Sequence, residues 1–403
     1  MNKAAIRILV LDDEHFMQKM LAHMLATLGF SSVDTCDNGL SALEWVDAGD
    51  TTPQIILLDL HMPGMDGIQF VRKLVEHNFE GSLLLVSGED ERLLQMTQKL
   101  IEAHDIPVLG RLSKPVFLPE LEAALEKWKP AFHPHHAAKK VYSAGELQAA
   151  IANRELINFY QPKVLVATGA VVSVEALVRW RHPKDGLIFP DQIIELAEEN
   201  HLIDDLTRLV LVNAIKQIKA WQGEGLSLEV AVNISMDNLM SLSFADFVVD
   251  AAHAEQVAPQ YILLEVTESR LMLDQRVPLE TLTRLKLNRF RLSIDDFGTG
   301  HSSLTQLRNI RFDELKIDRS FVHNATQDKT SRAIYDISLG LGKKLGMEVV
   351  AEGVEDLDDW DLVRRSDCDL AQGYFIGRPM PAAELIEWIA EWKDRAQEWQ
   401  HSP

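Results

Sequence analysis

The sequence predicts an α/β protein in two parts: a doubly wound, five-stranded parallel sheet, then a (β/α) barrel. Three observations predict this. Through residues 1–128, apolar β-rich runs alternate with segments of helical period. The alternation breaks over residues 129–141, KPAFHPHHAAKKV, and resumes over residues 142–403. In that second stretch seven polar residues each sit at the end of a short apolar run. They are Glu175 in VVSVEALVRW, Asn233 in LEVAVNIS, Glu265 in YILLEVTE, Asp295 in RLSIDD, Lys316 in ELKID, Glu352 in MEVVAEG and Gln372 in LAQGYF. Strand, polar residue, then helix, repeated along a chain, is how a TIM-like barrel gathers a site at the carboxyl ends of its strands.

The elements of the first block follow in order. Strands are predicted at IRILVL, SVDTC, IILLDL, SLLLVS and IPVLGRL. Between the first two, Phe16, Met17, Met20, Leu21, Met24, Leu25 and Leu28 recur at helical spacing, and Leu118, Leu121, Leu125 and Trp128 do so after the last. Single helices between strands argue a parallel sheet with both faces covered. The break at 129–141 holds two prolines and has no period, so it reads as a linker. His133, His135 and His136 within it are read as solvated linker residues, not metal ligands, because no ordered scaffold surrounds them.

Composition narrows the class. The chain has 403 residues, 46% of them hydrophobic, enough for about two or three domains with sizeable cores. No apolar run approaches the ~18 residues of a membrane span. The start, MNKAAIRILVLDDE, lacks the pattern of a signal peptide. Two cysteines, Cys36 and Cys368, fall in different blocks, which argues against a disulfide framework and for a reducing, cytoplasmic setting. A formal net charge of −21 with no basic stripe argues against DNA binding. It leaves room for a small phosphodiester, provided metal ions neutralise the site locally.

The first block carries Asp12 and Asp13 at the end of its first strand, Asp59 at the end of the third, Ser87 at the end of the fourth and Lys114 after the fifth. In an open parallel sheet these ends share one edge. Phosphoryl transfer to a carboxylate needs a metal held by acids, plus a hydroxyl and an ammonium for the phosphoryl oxygens. The block resembles the receiver domain of two-component response regulators. That resemblance implies Asp59 as the phospho-acceptor, Asp13 as the most direct ligand of one Mg²⁺, and a sensor histidine kinase or phosphotransfer protein as partner. One position departs from the pattern. Receivers usually carry Tyr or Phe three residues before the lysine, and here it is Arg111, which puts the aromatic switch in doubt.

In the second block, Glu175, Asn233, Glu265, Asp295 and Asp296 offer only oxygen ligands, a set that suits Mg²⁺ or Mn²⁺ over zinc. Adjacent aspartates at one strand end allow one carboxylate to bridge two ions ~3.5–4 Å apart, the arrangement of two-metal phosphodiester hydrolysis. Arg179 lies on the strand face of Leu177, placed to fork onto a phosphate or to form a surface ion pair. FYQPKV, EALVRW, VNIS, EVTES, DDFGTGHSSL, LKIDRSF, AEGVE and QGYFIGRP follow in that order.

Together they resemble the EAL family of cyclic-di-GMP phosphodiesterases. The resemblance implies two metal ions in the barrel, the first on Glu175, Asn233, Glu265 and Asp295, the second on Asp295 and Asp296. It implies Lys316 orienting the attacking water, Glu352 as general base and Asp318 in support. Gln161, Leu177, Arg179, Glu355 and Gln372 would meet substrate, though Glu355 and Gln372 read equally as capping or supporting residues. Glu268 would anchor the mobile loop DDFGTGHSSL, where His301 stands in place of the family's usual Tyr.

The expected reaction is hydrolysis of cyclic di-GMP to linear pGpG, under control of Asp59 phosphorylation, in a homo-oligomer. No GGDEF-like segment is present. Two other readings stand beside it: a non-catalytic cyclic-di-GMP receptor, and a phosphoryl sink for a sensor kinase.

Overall fold

The computed structural model describes residues 3, 6–46, 52–77, 79, 81–102, 104, 106–128, 142–267, 276–299, 307, 310–323 and 325–400, without the side chains of 91, 92 and 397–400. The chain divides into two compact units, Met1–Lys139 and Lys140–Pro403. No helix among the described residues is long and apolar enough to cross a membrane.

In the first unit, β1 (Arg7–Leu11), β2 (Ser32–Cys36), β3 (Ile55–Asp59), β4 (Ser82–Ser87) and β5 (Val108–Ser113) pair in parallel, in the order β2-β1-β3-β4-β5. Strand alternation sorts the apolar runs onto two faces. Leu9, Leu11, Ile56, Leu58, Leu83 and Leu85 enter one core, and Ile8, Val10, Ile55, Leu57, Leu84 and Val86 the other. Burial on both faces is why these strands read as continuous apolar runs. The helix His15–Thr27 buries Met17, Leu21 and Leu25. Phe16, read from its spacing as part of that apolar face, is 75% exposed. It lies one residue, or about 100°, round the helix from the buried stripe.

The second unit is a closed barrel. Its strands are β6 (Leu156–Leu165), β7 (Val171–His182), β9 (Glu229–Ile234), β10 (Ile262–Thr267), β11 (Arg291–Phe297), β12 (Glu314–Ile317), β13 (Glu348–Ala351) and β14 (Leu370–Gln372). β6 closes the ring by pairing with both β7 and β14. Short β8 (Gly186–Ile188) pairs with β7, and β15 (Met380–Pro381) with β6. β6 is antiparallel to both barrel neighbours, and the other ladders of the ring are parallel. A uniform strand–helix repeat did not anticipate this reversal. It follows from a hairpin: β6 and β7 are joined by a tight turn in which Gly169, at φ +70°, donates to Leu165 O. That backbone region is reached at little cost by glycine.

The alternation also sets the barrel's chemistry. Val174, Ala176, Val230, Val232, Leu264, Leu292, Ile294, Leu315, Ile317, Val349 and Ala351 belong to the apolar core. Their strand neighbours Ser173, Glu175, Glu229, Glu265, Ser293, Asp295, Glu314 and Lys316 are buried and polar. Successive side chains point to opposite faces, so the apolar set packs against the helices and the polar set lines the barrel interior. A polar interior of this depth tolerates burial only where each charge is paired.

Candidate active site

Lys316, near the end of β12, has its ammonium at the centre of a carboxylate ring. Its Nζ lies 2.7 Å from Glu352 Oε1, 3.0 Å from Glu265 Oε2, 3.1 Å from Asp295 Oδ1 and 3.7 Å from Glu175 Oε2. Lys316, Glu175, Glu265 and Asp295 are buried, and Glu352 is partly buried, with 17% of its side chain exposed. Burial disfavours the ammonium, but Asp295, Glu175, Glu265 and Glu352 outweigh it and hold Lys316 well above the usual lysine range. Burial likewise opposes a charged Glu265, yet Lys163 and Lys316 hold its carboxyl down to about 2. Glu352 goes the other way: burial first, then the Asp295 charge, push it well above the carboxylate range, with Lys316 opposing. Glu175 is also raised, chiefly by burial.

Amides fix the orientation of Glu175. Asn233 Nδ2 donates to its Oε1 at 2.8 Å and Gln372 Nε2 to its Oε2 at 2.6 Å. Gln372 Nε2 also donates to Gln161 Oε1 at 3.2 Å, and Gln161 Nε2 donates to Gly377 O at 3.1 Å. The three amides therefore sit together around Glu175. Gln161 is not at a strand's carboxyl end. It lies mid-strand on reversed β6, in register with Glu175, itself mid-strand on β7. Gln372 is followed by Gly373, where an added Cβ would sit 2.1 Å from Val354 O. That closeness lets Val354 N donate to Gln372 O and carries the Glu352 turn against β14.

Adjacent side chains on a strand diverge, so Asp295 and Asp296 need a local distortion to share one site. The β11–β12 register shifts between Ile294 and Phe297, and Asp296 is left-handed at φ +56°. This bulge brings carboxylate oxygens of Asp295, Asp296 and Glu352 within 4.8 Å of one another. Burial, then Asp295 and Asp318, push the Asp296 carboxyl up to about 6.

The remaining predicted residues take varied places. Arg179 is buried, with its Nη1 donating to Val178 O and its guanidinium 5.4 Å from the Phe159 ring and 5.3 Å from that of Phe189. It is no surface ion pair. Leu177 and Asn233 line a largely apolar cavity of about 280 Å³ together with Pro190, Ile194, Ile203 and Thr267. Asp318 caps the short helix Arg319–Val322, accepting from Ser320 N at 2.9 Å. Glu355 is engaged by Arg319 at 2.8 Å. Glu268 and residues 300–306 lie outside the described residues, and with them His301.

In the first unit, Lys114 Nζ bridges Asp12 Oδ2 and Asp59 Oδ2, each at 2.8 Å. Burial opposes the ammonium, but these two carboxylates raise Lys114 above the lysine range. Asp12, Asp13 and Asp59 offer oxygens within 4.8 Å of one another. Lys114 N donates to Ser87 O at 2.9 Å, which ties the ends of β4 and β5 together. These groups stand at the carboxyl edge of the sheet, where the strand order changes direction between β1 and β3. Arg111, in β5, pairs with Leu85.

The family model of the EAL domain matches residues 144–379, more than half of the chain. The chain belongs to the EAL domain family. Ahead of this EAL domain, the model of the response regulator receiver domain matches residues 8–126. The bifunctional diguanylate cyclase/cyclic di-GMP phosphodiesterase MucR of Pseudomonas aeruginosa is 38% identical over 63% of this chain, which spans 37% of that protein's length. The cyclic di-GMP phosphodiesterase RocR of the same organism is 28% identical over 96% of this chain and 99% of its own. The match to RocR thus runs across both matched domains of this chain. A solved MucR phosphodiesterase structure in complex with c-di-GMP superposes with a TM-score of 0.57 at 40% identity, covering 60% of this chain and 98% of that one.

The EAL domain also holds charges that the sequence reading passed over. Lys163 Nζ sits 2.9 Å from Glu265 Oε1 and 3.0 Å from Glu314 Oε1, with no exposure on any of the three. Further from the mouth, Arg291 Nη1 meets Glu229 Oε2 at 2.9 Å. Lys163 lies within FYQPKV, and Glu314 two residues before Lys316, but neither ends a strand at the mouth. The signal that could have found them is a charged residue at the inward-facing period of an otherwise apolar strand.

Proposed function

We propose that this protein is a response regulator whose EAL domain hydrolyses cyclic di-GMP to linear pGpG with two divalent cations, Mg²⁺ or Mn²⁺. The observation that carries the reading is the carboxylate ring around Lys316 with the Asp295–Asp296 bulge at its edge. The relatives' names, which include cyclic di-GMP phosphodiesterases, support the substrate. Complete occupancy of the acidic positions favours catalysis over a receptor role.

The residues fit such cations. Every acidic donor is a carboxylate oxygen, and a lysine ammonium already stands where positive charge is needed. Glu175, Asn233, Glu265 and Asp295 would hold the first ion, Asp295 and Asp296 the second. Bound ions of this kind neutralise phosphodiester charge and make water a stronger acid. The chain's own groups do the rest. Glu352, raised and least buried of the ring, accepts the proton of the attacking water. Lys316, in hydrogen-bond range of Glu352, orients that water beside the base. Asn233, Gln372 and Gln161 fix Glu175, Arg179 offers its guanidinium to a phosphate, and Asp318 shapes the field at Asp296. The cavity beside Leu177 is apolar and suits the face of a base. Substrate contact by Glu355 would exchange its ion pair with Arg319.

Protein stripped by chelator should be inactive on cyclic di-GMP and recover with Mg²⁺ or Mn²⁺. Ca²⁺, which takes longer bonds and looser geometry, should support little turnover. Full activity in excess chelator, followed by chromatography of the products, would overturn the two-metal reading.

In the receiver, Asp59 is proposed as phospho-acceptor, with Asp12 and Asp13 holding one Mg²⁺ and Lys114 and Ser87 receiving the phosphoryl oxygens. The donor would be a sensor histidine kinase or phosphotransfer protein, and phosphorylation would modulate turnover in a homo-oligomer. Asp59→Asn should take up no phosphate from acetyl phosphate, while Ser87→Ala should retain some. Stoichiometric labelling of the Asp59→Asn protein, read by intact mass, would move the acceptor elsewhere.

A further inference from the structure

Among the described residues, Glu265 is the one ring carboxylate with each oxygen tied to a different lysine. Oε2 meets Lys316 at 3.0 Å and Oε1 meets Lys163 at 2.9 Å. Lys163 is on β6, two residues beyond Gln161 and in register with Ser173, whereas Gln161 is in register with Glu175. Two residues of strand correspond to about 6.6 Å, so Lys163 lies one layer beneath the mouth. Its ammonium is fixed there. Glu314 Oε1 accepts from it at 3.0 Å, and Ser293 Oγ donates to the same Glu314 oxygen at 2.9 Å.

We infer that Lys163 is a positioning residue for divalent-metal binding, holding the Glu265 carboxylate in the orientation that presents it to the cation, with Glu314 and Ser293 holding Lys163 in turn. The inference rests on the proposed role of Glu265 as a metal ligand. A carboxylate can turn about its terminal bond almost freely unless both oxygens are engaged. Among the described residues, only Lys163 donates to Oε1. The sequence route to the same position is the reversal of β6. It sets Lys163 in register with Ser173, within the buried polar layer that also holds Glu229, Ser293 and Glu314. Partners of this kind, one step behind the ligands, typically change metal affinity by about 10–100-fold.

A purely structural ion pair would behave differently. Its loss would lower stability and leave the metal affinity of the surviving folded protein unchanged. The test is Mn²⁺ binding, followed by electron paramagnetic resonance without substrate, in four full-length proteins: wild type, Lys163→Met, Glu265→Gln and the double variant. Lys163→Met should weaken Mn²⁺ by about 10–100-fold in the wild-type background and add little to Glu265→Gln. Unchanged Mn²⁺ affinity in folded Lys163→Met, with Glu265→Gln clearly weakened, overturns the positioning role. Unchanged affinity in Glu265→Gln instead overturns the ligand assignment itself. Lys163→Arg covers the case in which the methionine variant does not fold. It keeps the charge and displaces the donor, so Mn²⁺ should still weaken, and wild-type affinity in Lys163→Arg would overturn the inference.

Discussion

Glu352→Gln should lower kcat on cyclic di-GMP by about 10²–10⁴-fold, the usual cost of losing a general base. The change keeps the size and one hydrogen-bonding oxygen, so Lys316 retains a partner at that position and the barrel should fold normally. Substrate affinity should change far less than kcat, because the lost interaction is one made with the reacting proton. The acidic limb of the kcat–pH profile should flatten as well. In the wild type that limb reports a base whose folded value lies above the ordinary carboxylate range, so rate rises with pH as it ionises. Single-turnover kinetics with saturating Mg²⁺ separate these effects. A loss below about tenfold would assign the proton transfer to another group.

Lys316→Met should have the largest effect on the protein as a whole. It removes the only ammonium in contact with Glu175, Asp295 and Glu352 among the described residues and leaves a buried ring of like charges. Removing one partner from such a buried network costs about 3–5 kcal/mol. For a unit of this size each kcal/mol shifts Tm by about 2–4 °C.

Two features distinguish this from an ordinary core defect. Divalent cations would replace the lost charge, so excess Mg²⁺ should recover much of the melting temperature while activity stays lost. Stability should also depend on pH with a definite sign. Glu175 and Glu352 are already raised, by burial first, with Lys316 opposing. Without Lys316 they rise further, and the folded variant binds protons that the unfolded chain releases. Its stability is therefore lowest above the folded-state values and increases as pH falls through them. Equal Tm losses with and without Mg²⁺, and across pH, would show that the ring does not act as a charge cluster.

By itself the sequence determined the α/β class, the two-part organisation into a receiver and an EAL domain, and the identity of most of the groups that converge. These depend on local signals. Apolar period distinguishes strand from helix, and a polar residue closing an apolar run marks the end of a strand. Asp12, Asp59 and Lys114 were readable in this way, as were Glu265, Asp295, Lys316 and Glu352, because each chain segment carries its own period and boundary.

What tertiary structure decided is everything that depends on which segments become neighbours. Closure of the barrel through antiparallel β6 placed Gln161 beside Glu175 and Lys163 beneath Glu265, a pairing across 102 residues of chain. The bulge at Asp296 turned two adjacent aspartates toward one point, which no spacing rule contains. Arg179, open in the sequence to a surface ion pair, was drawn between two aromatic rings because β7 buries it. The charge states were decided there too. Glu265, within β10, and Glu352, just past the end of β13, are the same residue type in one carboxylate ring. One is held ionised between two lysines and the other is pushed up by burial and a neighbouring aspartate. Desolvation and Coulomb interactions act through space, so a one-dimensional reading can name the acids but cannot assign which one carries the proton.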